Sequence, residues 1–237
     1  MDKNVNSKKI SICIPTWEQH GKGASFLEQL FVSIESQTYK NYNVVVSDQS
    51  LNDEIKNLCE TFSNKFDIIY VKNKKDLGNG PANTNNCIKN ADGEIIKIMF
   101  QDDFFYDQKA LEIINHNFVI NDCIWLVNGC NHTKDSGKTY FQQMIPKWNE
   151  NILIGVNTIS SPSVLSFKKE VDLFFDENLV MLMDCEYYYS LYKKFGLPLF
   201  LEDCLITGRF HEHQISTLYD HNNLPKEINY VKNKHKV

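Results

Sequence analysis

Two adjacent carboxylates, Asp102 and Asp103, close an apolar run in the stretch MFQDDFFYDQ, residues 99–108. Side by side they repel. Mg2+ or Mn2+ relieves such repulsion, because these cations take hard carboxylate oxygens and let substrate phosphates complete the shell. The same acids in a solvated turn would be helix caps and nothing more. Asp48 ends a second apolar run, YNVVVSDQS (42–50). Its carboxylate could accept an N–H from a nucleobase, or cap a helix beginning near Asn52. Asp184 and Glu186 follow the hydrophobic VMLM. Acids there either face a helix dipole or lie partly buried, where a raised pKa suits a general base.

His211 and His213 in RFHEH share one face of an extended segment with Arg209, a set that could address a metal or a diphosphate. A surface pair of histidines reads the same way. GNGPANTNN (78–86) has the glycines of a phosphate loop, but neither the lysine of a P-loop nor a G-x-G-x-x-G spacing. No Ser/His/Asp or Cys/His order stands out for nucleophilic catalysis.

The elements that must position these groups follow from periodicity. KISICIPTW (9–17), YNVVVSDQS, FDIIYVKN (66–73) and GEIIKIMF (93–100) are apolar, β-branched and short, which predicts strands. ASFLEQLFVSIESQ (24–37) sets Phe26, Leu27, Leu30, Phe31 and Ile34 on one helical face. Further helices are expected at 52–63, 80–91, 111–120 and 183–196, the last closed by Gly196. Strands alternating with helices predict a mostly parallel sheet covered on both faces. In such sheets ligands bind beyond the carboxyl ends of the strands. Pro15-Thr16-Trp17-Glu18, Ser47-Asp48-Gln49-Ser50 and Gln101-Asp102-Asp103 should therefore meet at one edge. The second half is less regular: a strand at 123–129, strand and turn at 161–170, two short strands at 197–203 and 204–213, and a polar tail from about Asp220 that should fray.

Bulk properties narrow the classes. The chain has 237 residues, 42% apolar and 23% charged, enough for one packed domain. A net charge of −5 argues against a nucleic-acid partner. The N-terminal MDKNVNSKK lacks a secretory h-region, and no run of eighteen apolar residues occurs. Seven scattered cysteines without a C-x-x-C pair suit a reduced chain, so the expected place is the cytoplasm, with peripheral contact to a membrane face left open.

The order of these pieces resembles the family 2 glycosyltransferases with the GT-A fold. ISICIPTWE, VVVSDQSLND and GPANTNNCIKNADGEIIKIMFQDDFFYDQKALE carry the likeness in the first half; SSPSVLSFKKE, FDENLVMLMDCEYYYSLYKKFG and GRFHEHQIS carry it in the second. The resemblance implies an α/β fold of GT-A type in a single domain, 1–237. About 9–103 would bind the nucleotide sugar, about 104–217 the acceptor, and 218–237 would form the tail. It also implies an inverting, cation-assisted transferase that moves a sugar from a UDP-, GDP- or dTDP-sugar to a hydroxyl of a glycan, a lipid-linked sugar or a protein.

By position, Pro15, Thr16 and Glu18 fall on the loop that contacts the nucleoside. Asp48 falls in the base-recognising stretch, and Asn85 matches the asparagine of the family's RN-x-G helix start. Asp102 falls where ribose or the donor sugar is met. Asp103 matches the metal ligand (Mn2+ or Mg2+), with His211 as a further metal or diphosphate contact. Asp184 matches the catalytic base. Two departures stand out: the first acid of the D-x-D region is absent at Gln101, and Ser47-Asp48-Gln49-Ser50 carries only one of the two usual acids. The competing classes are a sugar-nucleotide nucleotidyltransferase, which would begin with a basic glycine-rich loop, and a non-catalytic sugar- or nucleotide-binding domain, in which Asp102, Asp103 and Asp184 would have no reason to converge.

Overall fold

The four β-branched runs become the parallel half of one mixed sheet. In a computed structural model of the chain, which describes residues 7–237, β1 (Ile10–Thr16) is flanked by β2 (Tyr42–Asp48) and β4 (Ile95–Ile98), and β2 pairs outward with β3 (Ile68–Lys72), all parallel. The stretch Met1–Asn6 of the polar N-terminal segment lies outside the described residues. β1 and β2 are buried nearly throughout, as strands covered on both faces must be. Helix α1 (Gly23–Glu35) lays Leu27, Leu30, Phe31 and Ile34 into the core, each contributing roughly 1.5–3 kcal/mol by burial. Phe26, on the same predicted stripe, is only partly buried and turns toward the site instead. Helices α2 (Glu54–Phe62) and α3 (Gly80–Asn90) complete the crossovers. α3 is capped by the Asn79 side chain, which accepts the Ala82 N–H at 2.9 Å. The Asn52 side chain accepts from Glu54 N at 3.2 Å, so it organises the turn one residue ahead of the α2 cap, Asp53.

Beyond β4 the pairing becomes mixed. β5 (Phe104–Phe105), α4 (Ala110–Ile120), β6 (Trp125–Thr133), β7 (Phe141–Met144) and β8 (Leu165–Lys168) follow, then α5 (Met183–Phe195), β9 (Leu199–Arg209), α6 (Ile215–Leu218) and α7 (Leu224–His235). The strand order is β3-β2-β1-β4-β8-β6-β9-β5, with β7 paired to β6. Pairing is antiparallel at β4–β8, β8–β6, β6–β7 and β9–β5 and parallel at β6–β9. This is a single mixed α/β domain whose curled sheet is flanked by helices.

Two expectations change here. The two short strands at 197–203 and 204–213 are one strand, β9, held parallel to β6 through register shifts at Asn128–Cys130. The tail does not simply fray: α7 is a helix of 12 residues whose Val231 is fully buried. Gly196 does end α5, with φ +81° and its N–H on the Tyr192 carbonyl at 2.8 Å. Among the described residues no helix is long and apolar enough to cross a membrane.

Candidate active site

The parallel register aligns the strand ends. Thr16 lies beside Asp48, and Asp48 beside Lys72. Asn83 knits these ends together from the start of α3. Its Nδ2 donates to the Thr16 and Ser47 carbonyls at 3.1 and 3.0 Å, and its Oδ1 accepts from Ser47 Oγ at 2.6 Å and Asn73 Nδ2 at 3.1 Å. The sequence reading passed over Asn83; the signal was a run of amides, NTNN, on the side of a helix that must face the sheet. Thr16 is enclosed with its hydroxyl on Ser47 O at 3.2 Å, Pro15 and Glu18 stay partly open, and Glu18 Oε2 accepts the Leu51 N–H at 3.3 Å.

Two residues assigned to the donor are committed elsewhere. Asp48 is 0% exposed, and its oxygens accept from Ser50 N at 2.8 Å, Tyr70 O–H at 2.7 Å and Lys72 Nζ at 3.0 Å. The carboxylate therefore ties the ends of β2 and β3 instead of presenting an edge to a nucleobase. It also pushes the Tyr70 hydroxyl pKa up, together with burial, which is the larger cause. Asn85 is likewise buried: its amide donates to Phe175 O at 2.9 Å and Glu177 Oε1 at 2.8 Å and accepts from Phe175 N at 2.8 Å. It fastens α3 to the 175–177 segment, which leaves no free amide edge for a donor.

The acidic pair sits on a turn, with Asp103 N–H on the Phe100 carbonyl at 3.1 Å. Gln101, standing where an acid was expected, is 3% exposed and clamps the first-strand loop. Its Oε1 accepts from Trp17 N at 2.7 Å, while its Nε2 donates to Trp17 O at 2.9 Å and Gln19 Oε1 at 3.1 Å. A carboxylate could make the first bond and neither of the others. Gly23 belongs to the same clamp, since a Cβ there would stand 2.2 Å from Trp17 O and 2.9 Å from Gln101 Nε2.

Pairing of Phe104 with Thr207 and Phe105 with Ile206 brings the end of β9 to this turn. Arg209 N–H donates to Asp103 Oδ1 at 3.0 Å, and its guanidinium donates to the Asp102 carbonyl at 2.9 Å while lying over the Phe26 ring at 4.5 Å. Asp103 is 6% exposed, with Ser161 Oγ donating to its Oδ2 at 3.3 Å. Burial, then the neighbouring Asp102 charge, raises its pKa to about 7. Asp102 is the more open member, and its Oδ2 meets His211 Nε2 at 3.0 Å. Asp102, paired with His211, is thus the more exposed of the two acids, while Asp103 is covered by β9 and bonded to the Arg209 N–H.

Asp184 reaches the same region from α5. Its Oδ1 accepts the Cys185 N–H at 2.7 Å and its Oδ2 accepts from Asn157 Nδ2 at 2.8 Å. Desolvation raises its pKa to about 6 against these bonds, which favour the ionised form. Asn157 also donates to Ser160 O at 3.0 Å, and the neighbouring Ser161 donates to Asp103. One strap, 157–161, therefore joins the acid of α5 to the acidic turn. Ser160 in it has φ +106°, a conformation a non-glycine residue keeps only when its surroundings impose it. The Tyr188 hydroxyl on Ser160 O at 3.1 Å and the Asn157 bonds impose it. Below the strap, fully buried Lys97 donates to the Ser163 and Leu165 carbonyls, and burial lowers its pKa to about 7. None of these strap contacts was legible from spacing.

Among the described residues no three His, Cys, Asp or Glu side chains form a complete cation site. The donor set that is present, an Asp102 oxygen and the His211 imidazole 3.0 Å apart, fits a Mn2+ or Mg2+ ion whose remaining positions come from phosphate and water. His213 N–H donates to His211 Nδ1 at 3.2 Å. That bond leaves the ring proton on Nε2 facing Asp102, so a cation at Nε2 would have to displace it.

Solved structures show the fold. S. aureus TarS 1–349 in complex with UDP-GlcNAc superposes with a TM-score of 0.76 at 17% identity, over 94% of this chain and 65% of that one. Mannosyltransferase PcManGT from Pyrobaculum calidifontis, in complex with GDP-Man and Mn2+, gives 0.59 at 15% identity, over 85% of this chain and 56% of that one. The fold is the GT-A fold, as expected from the sequence. Residues 11–163 match the family described as "Glycosyl transferase family 2", and the chain belongs to that family. A Rickettsia prowazekii (strain Madrid E) protein described as an uncharacterized glycosyltransferase is 27% identical over 228 residues, covering 90% of this chain and 68% of that protein. A Campylobacter jejuni GalNAc(5)-diNAcBac-PP-undecaprenol beta-1,3-glucosyltransferase is 28% identical over 138 residues, covering 55% of this chain and 43% of that protein. The expectation of a glycosyltransferase is borne out.

Proposed function

We propose that this chain transfers a sugar from a nucleotide-sugar donor to an acceptor hydroxyl with inversion, using Asp184 as the general base. The observation that carries the reading is the strap 157–161, which bonds to both the Asp184 carboxylate and the acidic turn. In-line attack requires a base on the acceptor side and charge neutralisation on the leaving-group side, and the two acids supply those two poles. Asp184, with a pKa of about 6, is largely ionised near neutral pH and basic enough to take a hydroxyl proton as the new bond forms, an effect worth ~10²–10⁴-fold in rate. Asn157 and the Cys185 N–H orient the carboxylate with one bond to each oxygen, so that lone pairs remain for the acceptor.

Residues 9–103 would form the donor half. Pro15, Thr16, Trp17 and Glu18 would line the nucleoside crevice, with the Gln101 clamp fixing their backbone. Residues 104–217 would form the acceptor half. Asp102 and His211 would hold the divalent cation, which when bound supplies Lewis-acid neutralisation of the departing diphosphate. The UDP-GlcNAc and GDP-Man bound by the two structural neighbours, and the Mn2+ in one of them, support a nucleotide-sugar donor with a divalent cation. The Campylobacter relative's name favours a lipid-linked glycan as acceptor, met at a membrane face.

The test is turnover of UDP-GlcNAc, UDP-Glc, GDP-Man and dTDP-sugars with Mn2+. One of them should be consumed by the wild type and not by Asp184→Asn, which should still bind it. Turnover retained in Asp184→Asn would remove the base assignment, and no turnover of any donor would refute the reading as a whole.

A further inference from the structure

We propose that Glu227, on the C-terminal helix α7, is a positioning residue for the transfer reaction: its carboxylate gathers the turn that launches α5 and so sets where Asp184 stands. The inference rests on the reading of Asp184 as the base. Leu182, the N-cap residue of α5, has no side-chain oxygen to offer, and its aliphatic side chain is buried. The backbone N–H groups of the launching turn are taken instead by a residue 45 positions later. Glu227 Oε2 accepts from Leu182 N at 2.9 Å and Met181 N at 3.0 Å, while Oε1 accepts from Val180 N at 3.3 Å and the Tyr219 hydroxyl at 2.8 Å. Successive N–H groups converging on one anion form a concavity that holds the backbone in one shape, and hydrogen bonds to a charged acceptor are the stronger kind.

α7 is itself anchored so that this grip is rigid. Lys234 Nζ bridges Asp176 at 2.7 Å and Glu186 at 2.8 Å, His235 Nε2 meets Glu186 Oε1 at 2.9 Å, and Tyr230 donates to Asp176 at 3.0 Å. Glu186 lies on α5, two residues after Asp184, and is 1% exposed. α7 thus holds α5 at its launching turn and again inside its first turn, with Asp184 between the two grips. Asp184 takes its orientation from the helix itself, through the Cys185 N–H, so a displaced launching turn moves the carboxylate relative to the strap and the acceptor. The grip lies beyond the matched family segment, 11–163, as Asp184 itself does.

The experiment is steady-state turnover of whichever of UDP-GlcNAc, UDP-Glc, GDP-Man and the dTDP-sugars the full chain consumes, at a temperature where circular dichroism shows each variant folded. Glu227→Ala should lower kcat on the order of ten- to a hundredfold, the usual scale of a misplacement near 1 Å, with the donor KM within about twofold of wild type. Glu227→Gln keeps an acceptor oxygen for Leu182 and Met181 but presents an NH2 to the Val180 N–H and the Tyr219 hydroxyl, and should give an intermediate kcat at the same KM. Wild-type kcat in either variant, or a donor KM that worsens in step with kcat, overturns the proposal. If Glu227→Ala does not fold, Glu227→Gln decides by the same criteria. Asp184→Asn is run alongside: if it is inactive while the Glu227 variants are normal, only the positioning role fails, whereas an active Asp184→Asn means the base assignment has failed.

Discussion

Gln101→Glu would restore the acid expected at this position, and the structure says it should harm the protein. The Gln101 amide donates to Trp17 O at 2.9 Å and Gln19 Oε1 at 3.1 Å inside a site where it is 3% exposed. A glutamate removes both donations, at about 1 kcal/mol each, and sets an anion against two acceptor oxygens beside the existing acidic pair, for roughly 3 kcal/mol in all. In a chain of this size that corresponds to a fall in Tm of about 6–12 °C. The pH dependence has a fixed sign. Burial raises the folded pKa of the new carboxyl above its unfolded value of about 4.3. The protonated form can donate once, so the variant's stability relative to wild type should be best below that value and decline as pH rises through the folded pKa. Thermal unfolding by circular dichroism at about pH 4 and near neutrality measures both points. A wild-type Tm near neutrality, or a deficit that grows toward acid, would falsify the clamp assignment.

Transfer should show an acidic limb near pH 6, the rate rising with pH as Asp184 ionises, since burial holds its pKa at about 6 and the base must be deprotonated. A pH–rate profile of kcat checks this, and a flat profile through that range contradicts it. Asp102→Ala should abolish the Mn2+-dependent thermal stabilisation given by the bound nucleotide sugar. Asp103→Asn should keep that stabilisation, because the buried side chain still accepts from the Arg209 N–H; the opposite pattern would return the cation to Asp103.

The parallel half of the fold could be read directly, because strands buried on both faces are mostly apolar and their polar clusters fall at the carboxyl ends. Hence the ends of β1, β2 and β4, the stripe of α1 and the C′ glycine of α5 all stood in the residue pattern, and so did the candidacy of Asp48, Asp102, Asp103 and Asp184. The pattern carries no information about which polar groups satisfy one another across distant elements. Asp48 spends its oxygens on Tyr70 and Lys72, and Asn85 spends its amide on the 175–177 backbone. Asp103 disappears behind Arg209 only because β5 pairs with β9. The tail looked free because its lysines and tyrosine are polar, yet Glu186 and Asp176, buried elsewhere in the chain, are the charges those residues neutralise. Sequence by itself determined where carboxylates could stand, since apolar periodicity is local. Tertiary structure decided which of them remain free for a ligand, since a buried charge takes whatever partner the packing brings within hydrogen-bond reach.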